Sequence, residues 1–81
     1  MIDPTVTFSI TQKKDDEIRE TLIQVNNALK EKGYNPINQI VGYILSEDPT
    51  YITTHNNARS MMSRLDRDDI LQSMVKYFVK Q

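Results

Sequence analysis

The chain has 81 residues, a net charge of −1 and no cysteine. A chain of this length forms one small domain that buries only about 60–65% of its unfolded surface, so we expect a partner or a second copy to cover an apolar face. The lack of cysteine excludes disulfides, thiolate metal sites and thiol nucleophiles, and it favours the reducing cytoplasm. The balanced charge argues against nucleic-acid binding, and no apolar run approaches the roughly 18–20 residues of a membrane span.

Residues 1–14 differ in pattern from the rest of the chain. Residues 5–11 alternate polar and apolar side chains with period two, which is typical of a half-buried strand. A lone strand is unstable in water, and no second strand is predicted elsewhere. We therefore predict an extended or flexible N-terminal tail over residues 1–14, either loosely docked or pairing as an edge strand in a dimer. Residues 15–81 are predicted to form a single helical domain.

Two helices with clear boundaries follow the tail. The first begins near Asp15 and carries an apolar stripe at helical spacing, formed by Ile18, Leu22, Val25 and Leu29. Gly33 predicts its end, and Asn35-Pro36 fits the N-cap and first position of a second helix that runs to about Leu45. The second helix has a broad apolar face, formed by Ile37, Ile40, Val41, Ile44 and Leu45. So much apolar surface predicts a central core helix that is shared with another subunit.

Gly42 lies inside the second helix, where glycine costs about 1 kcal/mol relative to alanine, so we expect it to permit the close approach of another helix.

The pattern of the remaining chain is also helical. Asp48-Pro49 fits the cap of a single turn that ends at Ile52. Helical spacing marks a third segment, Ala58, Met61, Met62 and Leu65, and a fourth, Ile70, Leu71, Met74, Val75 and Phe78. Whether Asp66 caps a new helix or one bent helix continues stays open. We predict an all-α fold, a compact homodimeric bundle of four to five short helices.

The chain offers little catalytic chemistry. His55 is its single histidine, which excludes histidine metal clusters and a histidine-paired acid–base couple. A lone loop histidine is most often a cap or a surface residue. The acid pairs at positions 15/16 and 68/69 stand at predicted helix starts, where carboxylates favour the helix dipole without a catalytic role. We therefore predict a protein that is not an enzyme and that holds no metal and no cofactor.

Two features point to binding or regulation instead. The predicted tail is rich in hydroxyl groups, and a protein kinase needs an accessible hydroxyl in an extended segment. A phosphate would add about −1.5 to −2 charges to a nearly neutral protein. On one continuous helix Arg59, Arg64 and Arg67 would form a row that grips a carboxylate or phosphate. The alternatives are tail hydroxyls without a role and arginines on a solvated face paired with Asp66 and Asp68.

The segment from Lys32 to Tyr43, read as Lys-Gly-Tyr-Asn-Pro-Ile-Asn-Gln-Ile-Val-Gly-Tyr, resembles the signature of the IreB/ReoM family of small regulatory proteins of Gram-positive bacteria. The likeness spans essentially the whole chain and includes Leu45-Ser46, Asp48-Pro49, Tyr51-Ile52, Ala58-Arg59 and Leu65-Asp66-Arg67-Asp68. The resemblance implies a cytoplasmic, all-helical homodimer without enzymatic activity. It also implies phosphorylation by a membrane Ser/Thr kinase with cell-wall-sensing repeats, reversed by a cognate phosphatase. That switch would govern peptidoglycan synthesis and cephalosporin tolerance by controlling proteolysis of the enolpyruvyl transferase. The implied partner is the proteolysis machinery, or an adaptor, that acts on this enzyme.

The resemblance also implies site residues. The family's phosphoacceptor threonine precedes an apolar residue and, a little further on, an aromatic one, which places it at Thr5, with Thr7 as the second candidate. The family's basic row for partner binding matches Arg59, Arg64 and Arg67. The sequence departs from the common family pattern at four places: Ile2 for threonine, Glu47 for glycine, Thr53-Thr54 for Pro-Arg and Ser63 for arginine. It is therefore less basic than its relatives.

Three hypotheses follow from these observations. The first is a non-enzymatic regulator that engages a partner through its helical surface and is switched by phosphorylation at Thr5. The alternative is a small helix-turn-helix DNA-binding protein that uses residues 59–67 as its recognition surface, which the net charge of −1 disfavours. The third is a structural dimer without a switch.

Overall fold

The computed structural model describes residues 4–80, with side chains from residue 13 onward. This part of the chain contains four α-helices and no strand. The helices are α1 (Pro4–Glu31), α2 (Pro36–Ser46), α3 (Ala58–Ser63) and α4 (Arg67–Val79), and two 3₁₀ helices, Pro49–Tyr51 and His55–Asn57, connect α2 to α3. The long helix α1 is the element against which α2, α3 and α4 pack. The predicted all-α bundle is confirmed.

The first helix starts well before its predicted start at Asp15. Residues 4–14 form the first turns of α1, where the alternating pattern predicted an extended or flexible tail. A helix that is already nucleated gains a backbone hydrogen bond for each added residue, whereas an isolated strand has no partner here. Pro4 suits the first helical position because its ring presets φ and that position needs no N–H partner. The division into a tail and a helical domain at residue 14 stays a prediction.

The turn between α1 and α2 forms as its residues predict. Gly33 has a φ of 82°, and the N–H of Tyr34 donates to the carbonyl of Leu29 at 2.9 Å, which closes the end of α1. Asn35 then caps α2, because its side-chain oxygen accepts a hydrogen bond from the N–H of Asn38 at 3.2 Å. One helix end and one helix start are thus encoded within a few residues of each other.

The core lies between the middle of α1 and the three shorter helices. Among the described residues its fully buried side chains are Val25, Leu29, Ile52, Ala58, Met62 and Ile70. Of the predicted α1 stripe, Leu22 is half-buried and the other three members are buried, so this prediction is confirmed. The core also takes in Ile52, which stands in a connection between helices.

The second helix divides its apolar surface between the core and the solvent. Tyr43 and Ile44 are buried, as expected of a core helix. Three side chains that lie one turn apart along α2 are exposed, namely Ile37 (72%), Val41 (47%) and Leu45 (79%). We call these three residues the α2 ridge. No residue of α2 is charged, although 26% of the chain is, so the α2 ridge is an uncharged apolar surface.

Gly42 permits the close approach that its position inside a helix predicted. A Cβ atom at this position would lie 2.6 Å from Cδ1 of the Tyr51 ring, which is far inside van der Waals contact. The backbone of Tyr51 is held next to α2 because its carbonyl accepts a hydrogen bond from Nε2 of Gln39 at 2.9 Å. The absence of a side chain at Gly42 therefore lets the 3₁₀ helix fold back against α2.

The structure decides the open question at Asp66, where the chain bends. Asp66 has an extended conformation, and its Oδ1 accepts a hydrogen bond from the N–H of Asp68 at 2.8 Å. This is the geometry of an N-cap, so α4 is a new helix and not a continuation of α3. The single turn predicted after Asp48 is also confirmed: it is a 3₁₀ turn, and the Asp48 carboxylate caps the N–H of Thr50.

Candidate functional site

The Arg67 side chain contacts the C-terminal end of α2. Its Nη1 donates to the carbonyl of Ile44 at 2.6 Å, and its Nη2 lies 2.9 Å from Oε1 of Glu47. The last carbonyls of a helix have no intrahelical partner and attract cations. Arg67 therefore fastens the start of α4 to the end of α2.

Arg59 supports the connection between α2 and α3. This half-buried side chain donates from Nε to the carbonyl of Ile52 at 2.9 Å. The neighbouring Asp48 accepts hydrogen bonds from the hydroxyl and the N–H of Thr50 at 2.7 and 3.0 Å. These hydrogen bonds, followed by the charge of Arg59, lower the pKa of Asp48 below its ordinary 3.8. The guanidinium of Arg59 thus already has a structural role.

Arg64 is the exposed member of the predicted arginine row. It follows the last turn of α3, and its guanidinium makes no hydrogen bond or ion pair with the part of the chain that the structure describes. It lines a small pocket of about 170 Å³ together with Lys14 and three acids, Glu17, Asp66 and Asp69. This surplus of acids makes the pocket unsuitable for a free anion. Arg64 is therefore available to a partner that also satisfies the acids.

The structure does not arrange the three arginines as one row. The helix break at Asp66 places Arg59 in α3, Arg64 just after it and Arg67 in α4. Two of the three guanidinium groups bind backbone carbonyls. The helix-turn-helix alternative thereby loses two of its three cations for phosphate contact. Partner binding by this set stays a prediction and depends chiefly on Arg64.

Thr5 and Thr7, the predicted phosphoacceptors, belong to the first two turns of α1. Their side chains lie outside the part of the chain whose side chains the structure describes. The first four N–H groups of a helix have no intrahelical acceptor, so the first turn is the easiest part to unwind. Thr5 is the second residue of α1, and opening a single turn would present it in an extended conformation.

A polar cluster that no local pattern predicted joins α1 to α4. The carboxylate of Asp15 accepts a hydrogen bond from the Ser73 hydroxyl at 2.6 Å and lies 2.9 Å from Nζ of Lys76. Next to it, Nζ of Lys14 lies 2.9 Å from the Asp69 carboxylate. The Ser73 hydroxyl first, and then Lys76, lower the pKa of Asp15 below its ordinary 3.8. The position of Asp15 indicates only a helix-start acid, and its partners are too distant in sequence for a local pattern to show them.

An open groove lies beside this cluster, between α1 and α4. It has a volume of about 950 Å³ and an apolar lining from Ile18, Leu22, Ile23, Ile40 and Met74. The guanidinium of Arg19 lies over the Tyr77 ring at its edge, 4.9 Å from the ring centre. We call this feature the α1–α4 groove. No sequence signal marked it, because its apolar lining residues occupy ordinary positions in predicted helices.

His55 has a structural role within the bundle. Its Nε2 lies 3.1 Å from Oε1 of Glu31, which joins the second 3₁₀ helix to the end of α1. Among the described residues, no three histidine, aspartate or glutamate side chains are grouped closely enough to hold a metal ion. Within residues 4–80, no helix combines the length and the apolarity that crossing a membrane requires.

Comparison with known proteins identifies the family. The family described as "IreB regulatory phosphoprotein" matches residues 3–80 of this chain. The chain belongs to the IreB family. A relative from Ruminiclostridium cellulolyticum, named "UPF0297 protein", is 53% identical over 79 residues, which cover 98% of this chain and 90% of the relative. A second UPF0297 protein, from Acetivibrio thermocellus, is 52% identical over 77 residues, covering 95% and 86%.

Substitutions at Glu47 test whether the backbone is strained at this position. Glu47 has a φ of 59°, in the left-handed region that disfavours residues other than glycine. We expect Glu47→Gly to be more stable than Glu47→Ala by about 1 kcal/mol, because both remove the carboxylate and only glycine relieves the backbone. Urea denaturation of the two variants measures the difference. Equal stabilities would show that the left-handed backbone at position 47 carries no strain.

Proposed function

We propose that this chain is a non-enzymatic regulatory phosphoprotein that is switched by phosphorylation of Thr5. The observation that carries the proposal is the match of the IreB regulatory phosphoprotein family to residues 3–80. The position of Thr5 in the first turn of α1 supports it, because a kinase can bind this residue after one turn unwinds and the packed bundle stays intact.

The proposed pathway is control of cell-wall synthesis in the cytoplasm. A membrane Ser/Thr kinase with cell-wall-sensing repeats adds the phosphate, and its cognate phosphatase removes it. The unphosphorylated protein engages the proteolysis machinery, or an adaptor, that acts on the enolpyruvyl transferase of peptidoglycan synthesis, and so sets cephalosporin tolerance. A phosphate adds about −1.5 to −2 charges at one end of the molecule, which is enough to repel an acidic partner surface.

The proposed regulator is a homodimer that pairs through the α2 ridge. Ile37, Val41 and Leu45 are 47–79% exposed on a helix without charge. Cores of protein interfaces are depleted of charged residues, and contiguous exposed apolar patches mark interaction sites. A two-fold contact places the same patch of both copies face to face, and an uncharged patch does so without repulsion.

Phosphorylation by the purified kinase domain tests the switch. We expect one phosphate on Thr5, located by mass spectrometry, which Thr5→Ala abolishes and Thr7→Ala retains. Thr54, an exposed threonine in the connection before α3, is the matched control and should stay unmodified. Modification confined to residues outside 1–11 would contradict the assignment.

In a cell-wall antibiotic challenge Thr5→Ala and Thr5→Glu should differ, whereas equal behaviour would favour a structural dimer without a switch.

A further inference from the structure

We propose that the α1–α4 groove binds an acidic amphipathic helix from a partner protein. The inference goes beyond the phosphorylation switch and does not depend on it, because the groove is formed by residues of the packed bundle. Its support comes from the shape of the groove, from the charge of its rim and from the contrast with the α2 ridge.

The shape of the groove suits a helix of about three turns. Along α1 it extends from Asp15 to Asn26, which is roughly 17 Å at 1.5 Å per residue. Its apolar lining includes Ile23, which is 53% exposed, and the half-buried Met74. An amphipathic helix fills such a groove with side chains at positions i, i+3 or i+4, and i+7.

The rim of the groove has more cations than acids. Its cations are Arg19, Lys76 and Lys80, and its acids are Asp15 and Asp16. Lys76 is neutralised by its ion pair with Asp15. Arg19 and Lys80 have no carboxylate within ion-pair distance in the described part of the chain, and Arg19 is held in place over the Tyr77 ring. A net positive rim on a protein of charge −1 selects a partner whose polar face is acidic.

The same charges disfavour a second copy of this chain as the occupant. A two-fold contact would bring together two copies of this rim, each with a net positive charge, whereas an acidic helix complements that charge. The α2 ridge has no such conflict, because α2 carries no charge. The two apolar surfaces therefore suit different partners: the α2 ridge suits a second copy, and the α1–α4 groove suits an acidic helix.

Binding of a designed peptide to the unphosphorylated full chain tests the inference. The probe is a helix-forming peptide of about 14 residues with leucine at the anchor positions and glutamate on the polar face, and its matched control has lysine for each glutamate. We expect the acidic peptide to bind at least about tenfold more tightly, and to bind more weakly as salt is raised. The methyl NMR signals of Ile23 and Met74 should shift, and those of the α2 ridge should not. Equal binding of both peptides, or shifts confined to the α2 ridge, would overturn the proposal.

Variants locate the binding surface. Ile23→Asp changes an exposed groove residue and should weaken peptide binding at least about tenfold, as should the pair Arg19→Glu and Lys80→Glu. Two control variants should bind the peptide within about twofold of the affinity of the unsubstituted protein. One is Lys30→Glu, which reverses a charge at an exposed α1 position outside the groove, and the other is Ile37→Asp on the α2 ridge. If Ile23→Asp dissociates a dimer, the groove holds a second copy and the proposal is wrong. No kinase enters the experiment, so its failure leaves the proposed switch unaffected.

Discussion

Replacement of Gly42 by alanine should destabilise this protein by about 1 kcal/mol, although alanine is the better helix former. The added Cβ would lie 2.6 Å from Cδ1 of Tyr51, so the ring has to leave its place against α2. Overpacking of this kind costs about 1–3 kcal/mol, which exceeds the helix-propensity gain of about 1 kcal/mol. Urea denaturation followed by circular dichroism measures the change.

The sign of this effect should reverse when the ring is removed. In a Tyr51→Ala background the added Cβ has free space, so Gly42→Ala should then stabilise by about 1 kcal/mol. The double-mutant cycle isolates the contact between the two residues, because each single substitution also changes other properties. A Gly42→Ala effect that is the same in both backgrounds would show that the glycine is not retained for Tyr51.

Truncation of Ile70 should have the largest effect of any single substitution in α4, a loss of about 2–5 kcal/mol for Ile70→Ala. Among the described residues of α4, Ile70 is the one that is completely buried, and the helix otherwise meets α1 through polar side chains and the half-buried Met74. The loss is a large part of the stability of a domain of this size. Urea denaturation gives the change in the free energy of unfolding.

Leu71→Ala is the matched control for this prediction. Leu71 is the next residue of the same helix, has the same number of carbon atoms in its side chain and is 43% exposed. Its truncation should cost less than about 1 kcal/mol, because the side chain leaves little cavity. Equal losses for both variants would contradict the prediction that Ile70 contributes most of the stability of α4 and would place Leu71 in a covered interface.

The arginines show where a local pattern misleads. If residues 59–67 formed one helix, Arg64 and Arg67 would be neighbours on its surface. The Asp66 cap separates them, and the sequence alone left that cap as one of two alternatives. The acceptor of Arg67, the carbonyl of Ile44, lies 23 residues away in the chain. No spacing rule within a helix predicts a contact of that separation.

The α1–α4 groove and its polar cluster illustrate the same limit. Asp15 meets Ser73 and Lys76 across separations of 58 and 61 residues. Each of these residues has an ordinary local explanation, as a helix-start acid or as a polar residue on a helix surface. Only the parallel placement of α4 along α1 brings them together. The apolar residues of the groove were correctly predicted to be helical, but which of them stay exposed depends on where α4 rests.

By itself the sequence determined where α1 ends and α2 begins, the buried stripe of α1, the reason for Gly42 and membership of the IreB family. The turn between α1 and α2 and the buried stripe depend on neighbours within about four residues, through capping hydrogen bonds, φ preferences and side-chain periodicity. The tertiary structure decided which arginines are engaged, which half of the α2 face is exposed and where a groove opens. Those properties depend on the packing of distant segments, which side-chain spacing does not encode.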